Sequence, residues 1–476
     1  MGEVPSPPSQ LIDSSARTVS LEVDTEGGAA TSAYQIEGAV TADGRGPCLW
    51  DIWSHRPGTT HRGDNGDIAC DHYHRLESDV DLISDLSLRG YRFSVAWPRV
   101  QPEADGRVNQ AGLDHYRRLL DLLLAKGVEP MVTLYHFDLP QYLQAEGGWT
   151  NRETALRFAD YAGIVADALG DRVRLWLTIN QPWVEAFFGY GDTVFAPAYG
   201  EIGKAVRASH HLLLGHGLAT RAVVAAASTP AQVGLALEPV PVTAASDSED
   251  DLKAAERYDE QRCQWFLEPV FHGRYPERLF DEYVRLIGDD FLHEGDCEAM
   301  NAELGLLALN YYSPARVAAS PPATQPTSRS LFWDWFGLEE QPQPDAARTT
   351  MGWTIEPEGL TQTLVRLKDD YGDIPLYVTE NGAAFYDYVD PEGRINDLER
   401  IEFLRAHFTA AHAAITQGVD LRGYFVWSLL DNFEWAEGYS MRFGLVFTDY
   451  RTKERILKQS AHFYRDVIAA NAVEAL

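Results

Sequence analysis

Residues Ile374-Pro-Leu-Tyr-Val-Thr-Glu-Asn-Gly382 decide how the chain is read. The run is short, apolar and rich in strand-forming residues, and a proline opens it. Those features predict a buried parallel strand rather than a helix. A carboxylate, Glu380, follows at once. At a strand's C-terminal end it would point into the space above the sheet, where parallel barrels gather their chemistry. One such Glu is more often a cap or a surface charge. The weight comes from other strands that end in the same way.

Outward from this run, short apolar segments alternate with longer amphipathic ones. Strands are expected near Ala29–Gln35, Gly90–Trp97, Glu129–His136, Arg174–Asn180, Val233–Glu238, Leu306–Tyr312, Leu376–Glu380 and Gly423–Ser428. Helical patterns lie between them, at Leu113–Ala125, Arg152–Leu169, Ile202–Ala226 and Gly359–Asp370. Eightfold alternation of strand and helix predicts a single α/β domain, a (β/α)8 TIM barrel with long loops above the strand ends, over residues 21–476. Residues 1–20, rich in Pro and Ser, read as a flexible tail. Ser313–Thr350, with its prolines and Trp333 and Trp335, reads as a long loop above the barrel.

Composition narrows the function. The 476 residues are 45% hydrophobic, enough for a large core, and 12 Trp, 22 Tyr and 20 Phe supply rings for packing or for stacking on flat ligands such as sugars. Lys and Arg number 40 against 71 Asp and Glu, a formal charge of −31. That surface repels phosphate backbones and anionic membranes, so neither nucleic acid nor membrane is an expected partner. Cys48, Cys70, Cys263 and Cys297 are far apart and form no CxxC pair, which argues against a zinc site or a disulfide framework. Residues 1–20 lack a signal peptide's apolar core and no stretch is long enough for a membrane span, so a cytoplasmic location is expected. The oligomeric state stays open, a homo-oligomer included.

Two strand ends carry the chemistry. The fourth strand closes Trp176-Leu-Thr-Ile-Asn180-Gln181-Pro182 and the seventh closes on Thr379-Glu380-Asn381-Gly382. Opposed strands can hold two side chains across a gap of about 5–5.5 Å, the spacing at which one carboxylate attacks an anomeric carbon and a second acid serves the leaving oxygen and then water. Position 181, however, is an amide.

These residues carry a family resemblance. The chain resembles the β-glucosidases of glycoside hydrolase family 1 in seven motifs in order: Ala30-Thr-Ser-Ala-Tyr-Gln-Ile-Glu-Gly38, Tyr91-Arg-Phe-Ser-Val-Ala-Trp-Pro-Arg99, His136-Phe-Asp-Leu-Pro-Gln141, Thr178-Ile-Asn-Gln-Pro182, Asn310-Tyr-Tyr312, Thr379-Glu-Asn-Gly382 and Gly423-Tyr-Phe-Val-Trp-Ser-Leu-Leu-Asp-Asn-Phe-Glu-Trp435. The resemblance implies a retaining enzyme acting on terminal β-D-glucosyl residues of β-glucosides or short β-linked gluco-oligosaccharides, with no cofactor and no metal. Glu380 would be the nucleophile, with Arg92 and Tyr312 beside it to hold it ionised and oriented. Gln35, His136, Asn180 and Glu434 would bind the sugar hydroxyls, with Asn180 on the 2-hydroxyl, and Asn310 would belong to the same subsite. Trp427 would floor the ring, Trp435 would donate its indole N–H, Phe443 would line the pocket, and Trp353 would be the platform for the leaving group. The histidines of Asp71-His-Tyr-His74 and His210-His211 lack a third ligand at metal spacing.

The chain departs from the family's pattern in three places. Gln181 stands where the acid/base Glu belongs, and an amide neither protonates a leaving oxygen at a useful pKa nor deprotonates water. Three readings fit it: a deliberate Glu→Gln change that slows turnover, a thioglucosidase of the myrosinase kind, or a natural variant that binds or transfers sugar, at the limit a non-catalytic sugar-binding barrel. Leu21-Glu-Val-Asp-Thr-Glu-Gly-Gly28 replaces the aromatic segment that usually leads into strand one. Phe137 stands where many relatives carry Trp, which keeps the apolar contact and loses a donor. Members that cleave 6-phosphorylated sugars lack an acid at the position of Glu434, so a plain sugar is expected here.

Overall fold

The structure is a computed structural model that describes residues 18–20, 26–320 and 331–474. Eight parallel strands close on themselves in sequence order: Glu26–Ala30, Gly90–Ser94, Glu129–Tyr135, Leu175–Asn180, Gln232–Leu237, Leu307–Asn310, Leu376–Asn381 and Leu421–Trp427. Strand eight pairs with strand one, Trp427 opposite Ala30, and that pairing completes the barrel. Helices fill the connections, among them Leu76–Asp85, Gln110–Ala125, Arg152–Leu169, Ile202–Ala226, Pro357–Tyr371, Leu398–Thr416 and Gln459–Ala470. This is the (β/α)8 barrel that the alternation predicts.

The strands are buried on both faces, as a parallel sheet wrapped in helices must be. Their outward residues join the helices in one continuous core. Their inward residues form a smaller cluster inside the barrel, in which Met131, Leu175, Leu177, Ala308, Tyr377 and Phe425 plug the lower lumen while Trp427 and Phe443 rise toward the site. The lumen is therefore solid beneath the strand ends, and the chemistry is confined above them.

Three expectations need correcting. Strand one runs Glu26–Ala30, not Ala29–Gln35; Thr31 and Ser32 follow, and Gln35 sits on a single helical turn, Ala33–Ile36. The reason is close packing. A Cβ on Gly28 would stand 2.6 Å from the Gly90 carbonyl oxygen and from the Phe425 ring, so Gly-Gly is what lets the strand in. Residues 28–30 are thus paired on both sides and 26–27 with strand eight, while residues 21–25 lie outside the described residues. Next, Thr18–Ser20 are not tail: they pair antiparallel with Ala472–Glu474, and residues 1–17 lie outside the described residues. Finally, Ser313–Thr350 is not a structureless loop. Ala315–Ala319 pairs with Leu338–Glu340 and with Val242–Ala244 in a small sheet, with the helix Leu331–Phe336 between; residues 321–330 lie outside the described residues. The remaining strand boundaries move by a few residues. The helices Arg152–Leu169 and Ile202–Ala226 fall where periodicity puts them.

Candidate active site

Glu380 is the next-to-last residue of strand seven and is 3% exposed. Two donors hold it. Arg92 Nη1, from strand two, donates to Oε1 at 2.5 Å, and the Tyr312 hydroxyl donates to Oε2 at 2.7 Å. Burial pushes the Glu380 carboxyl above its ordinary value; Arg92 and Tyr312 pull it back. The expected neighbours are there, but burial outweighs them, so the balance differs from the lowering anticipated from the neighbours alone. A carboxylate desolvated in this way is a stronger nucleophile than one in water.

Arg92 is fully buried and reaches three other strands. Its Nε donates to Thr133 Oγ1 at 3.0 Å on strand three, its Nη2 to Asn180 Oδ1 at 2.7 Å on strand four, and its Nη1 also to the Thr379 carbonyl at 3.2 Å on strand seven. Asn310 Nδ2 donates to the same Asn180 oxygen at 3.0 Å, and Asn310 Oδ1 accepts from Thr379 Oγ1 at 2.8 Å. Two donors on Asn180 Oδ1 fix which way its amide points. Asn180 Nδ2 then faces His136 Nε2 at 3.2 Å. That nitrogen accepts, so the ring's proton is on Nδ1, and burial together with the Arg92 charge keeps His136 neutral.

Glu434 and Trp435 arrive on the segment after strand eight. Gln35, on the helical turn after strand one, meets them: its Nε2 donates to the Phe433 carbonyl at 2.8 Å and lies 3.5 Å from Glu434 Oε2, while its Oε1 accepts from Ser32 Oγ at 2.6 Å. Burial, the charge of Glu380 and the charge of Glu437 raise the Glu434 carboxyl to about 8. The segment is anchored from below, where Asp431 accepts from Lys458 Nζ at 2.7 Å and from Arg442 Nη1 at 2.6 Å. Trp427 and His136 stack with ring centres 5.8 Å apart, and Trp435 lies 6.1 Å from His136. Tyr312, Trp353 and Phe443 form an opposing aromatic wall, with Trp353 5.2 Å from Tyr312 and 6.0 Å from Phe443.

These groups surround a cavity of about 380 Å³. His136, Gln181, Tyr312, Trp353, Glu380, Trp427, Glu434, Trp435 and Phe443, all singled out from sequence, line it. Gln35, Arg92, Asn180 and Asn310 are fully buried behind that wall. Gln181 takes a left-handed backbone, φ 43°, just past strand four; its N–H donates to the Ala236 carbonyl at 2.8 Å, and its Oε1 lies 3.4 Å from Asn180 Nδ2. Phe137, also left-handed at φ 72°, lines the cavity in place of the expected Trp.

Among the lining residues that sequence reasoning missed are Glu238 and Arg262. Glu238 follows the last residue of strand five and pairs with Arg262, whose guanidinium lies 3.6 Å above the Trp183 ring. The signal for Glu238 was the one that picked out Glu380, a carboxylate ending an apolar run. A larger groove of about 550 Å³, between Pro239–Leu267 and Gln362–Leu367, lies outside the barrel and contains no member of this constellation. Among the described residues no group of three or more His, Cys, Asp or Glu is placed to hold a metal ion. His72 bonds Asp79 at 2.8 Å and His210 bonds Asp296 at 3.0 Å. All four cysteines are free thiols, and no helix among the described residues is long and apolar enough to cross a membrane.

A buried carboxylate held by an arginine and a tyrosine, in an aromatic-walled cavity at the C-terminal face of a barrel, is an arrangement suited to glycoside chemistry. Residues 24–473 match Glycosyl hydrolase family 1, and the chain belongs to that family. It is 48% identical over 450 residues to the thermostable β-glucosidase B of Thermobispora bispora, covering 94% of this chain and 90% of the relative. It is 46% identical over 452 residues to a bifunctional β-D-glucosidase/β-D-fucosidase of Bifidobacterium breve, covering 93% and 96%. Among solved structures it matches the family 1 β-glucosidase from Thermotoga maritima in complex with isofagomine lactam, with a TM-score of 0.90 at 41% identity, over 96% of this chain and 100% of the other. The chain is a family 1 β-glucosidase by this measure.

Proposed function

We propose that this chain is a retaining β-glucosidase whose glycosyl-enzyme forms on Glu380 and whose acid/base position is held by Gln181. The observation that carries it is the clamped nucleophile: one Glu380 oxygen on Arg92, the other on Tyr312. A protein that only bound sugar would have no use for it. Attack by Glu380 on the anomeric carbon breaks the glycosidic bond, and water later displaces Glu380 with net retention. Asn180, locked by Arg92 and Asn310, presents its amide N–H₂ toward the 2-hydroxyl, a contact that strengthens as charge develops at the ring.

Gln181, whether introduced deliberately or native, moves no proton. General acid–base help is worth about 10²–10⁴ in rate. Hydrolysis of unactivated O-glucosides falls short by that factor unless another carboxyl takes over the work. The thioglucosidase reading rests on the same residue, since a stabilised thiolate needs no proton to leave. It requires the chain to prefer a thioglucoside over its oxygen counterpart, which a pair of initial rates decides.

The substrate is a plain β-glucoside. Arg262 is the sole Lys or Arg among the residues lining the cavity, and it is occupied by Glu238. Glu434, beside the charges of Glu380 and Glu437, offers no cation to a 6-phosphate dianion. As Glu434 can bond either epimer at the 4-position, activity on both glucosides and fucosides is expected, in keeping with the name of the Bifidobacterium relative. The test is covalent: a 2-deoxy-2-fluoro glucoside with a dinitrophenyl leaving group labels Glu380, and dinitrophenyl β-glucoside gives a burst of released phenol. An unlabelled Glu380 and no burst would reduce the protein to a sugar-binding barrel.

A further inference from the structure

The cavity holds a carboxyl that the reading above leaves unused. Glu238 is the residue after strand five, and strand five is the hydrogen-bonded neighbour of strand four. The two strand ends are tied where the chemistry needs them, by the Gln181 N–H on the Ala236 carbonyl and by Asn180 opposite Ala236 in the register. Ala236 points into the lumen, where it packs in the inner cluster. Two residues on, a side chain returns to the same face, so Glu238 rises above Ala236 on the barrel side. It lines the cavity together with Gln181 and Glu380.

We propose that Glu238 is the acid/base residue of this chain, doing from strand five the proton work that Gln181 cannot do from strand four. This rests on the retaining-glucosidase reading. In the first step the Glu238 carboxyl gives its proton to the glycosidic oxygen as that oxygen's bond to the anomeric carbon breaks. Glu380 forms the new bond to that carbon, and the leaving group departs as a neutral alcohol. In the second step the Glu238 carboxylate takes a proton from a water whose oxygen bonds to the anomeric carbon. The Glu380 ester bond breaks, and both carboxyls return to their starting states.

Other carboxyls on the cavity wall are worse placed. Glu434 belongs to the sugar end, beside Gln35 and Trp427. Glu340 is on the small outer sheet and Glu437 on the turn after Trp435. Glu238 alone among them ends the strand next to Gln181. It is also held ready. Arg262 Nη2 donates to Oε2 only, Oε1 takes no hydrogen bond among the described residues, and 15% of the side chain remains accessible, on the cavity it lines. Arg262 is itself fixed over Trp183, whose indole N–H donates to Gln261 Oε1 at 2.8 Å. Burial raises the Glu238 carboxyl above its ordinary value, the charge of Glu380 adds to that, and Arg262 opposes it. The net rise is the direction a general acid needs.

Substrates with poor and good leaving groups separate the roles. Glu238→Gln in the full chain is expected to lower kcat/KM for phenyl β-glucoside by about 10²–10⁴. The burst with dinitrophenyl β-glucoside, which needs no proton, should hold within about threefold. Because the burst reads Glu380 and the fold directly, a misfolded variant reveals itself there. Arg262→Met should lower turnover of phenyl β-glucoside less than Glu238→Gln does, since Glu238 loses its orienting partner but keeps its proton, and should move the alkaline limb to higher pH, since a cation that favours the carboxylate is gone. A merely structural ion pair would make the two variants equally damaging with no shift of the limb, and would overturn the proposal. Azide supplies an arm that needs no variant. With Glu238 working, azide barely accelerates dinitrophenyl glucoside turnover by the parent, and it strongly accelerates the Glu238→Gln variant with release of β-glucosyl azide. Strong azide acceleration of the parent, unchanged in the variant, would also overturn it. Absence of any burst in the parent instead defeats the underlying glucosidase reading.

Discussion

The two ends of the cavity are built on different principles. At the sugar end the polar groups bond one another across strands and the segments that follow them, and Arg92 alone connects strands two, three, four and seven. At the leaving-group end the polar groups are few: Gln181 with one long contact to Asn180, and the Glu238–Arg262 pair backed by an aromatic ring. The wall there includes Trp333 and Glu340, from a segment laid over the barrel rather than from the barrel itself. The difference teaches where the fold tolerates change. A network shared among strands cannot lose a member without leaving others unpaired in a dry site, whereas a local pair can be replaced at the cost of that pair alone.

The largest expected effect breaks the sugar end at its reacting atom. Glu380→Gln should abolish turnover of dinitrophenyl β-glucoside by about 10⁴-fold or more, with no burst. Next is Arg92→Met. It strips Glu380, Asn180 and Thr133 of a buried donor at once, and removing one member of a buried ion pair costs about 3–5 kcal/mol. Denaturant melting should show that loss together with a large fall in kcat. The matching experiment at the other end is Gln181→Glu placed in the Glu238→Gln variant. It should restore phenyl β-glucoside turnover by about 10²-fold or more, because it puts a carboxyl back on strand four. If both ends were equally rigid, that rescue would fail.

What could be read from sequence follows the same division. The strand-end motifs of the sugar end are contiguous and chemically unusual, so Glu380, Asn180, Arg92, Tyr312 and Glu434 stand out in the sequence, and the structure gathers them at one end of the barrel. The leaving-group end is assembled from single residues far apart in the chain. Arg262 sits on a helical stretch with no pattern of its own, and its meeting with Glu238 depends on how the connection after strand five folds back. Strand one was misplaced for a physical reason: Gly27 and Gly28 look like a turn, and only the crowding by Phe425 and Gly90 shows why a strand needs them. The sign of the Glu380 shift was also out of reach, because the extent of burial is not written in local sequence.

A smaller effect concerns pH. Glu185, next to the cavity, is raised to about 8 by burial, against which the Tyr135 hydroxyl donates at 2.8 Å. In the unfolded chain it titrates at an ordinary value, so between about pH 4.5 and 8 the folded state holds the extra proton. Stability therefore falls as pH rises through that window. Glu185→Gln should match the parent's melting temperature at pH 5 and exceed it by about 1–3 °C at pH 8. The reverse order would show that Glu185 is charged in the folded protein. The smallest change belongs to Trp353. Trp353→Ala should raise KM for aryl glucosides a few-fold with little change in kcat, since stacking on a ring contributes about 1 kcal/mol. A large fall in kcat would move Trp353 from the leaving-group end to the sugar end.

The guanidinium of Arg92 has one more consequence. Its partners, Thr133, Asn180, Thr379 and Glu380, lie between 41 and 288 positions from it in the chain. They converge only when strands two, three, four and seven have taken their places around the circle. A chain with one strand out of register has no oriented nucleophile, however intact its helices. Release of dinitrophenol is thus a proofreading signal for topology: each molecule that turns over has certified its own closure.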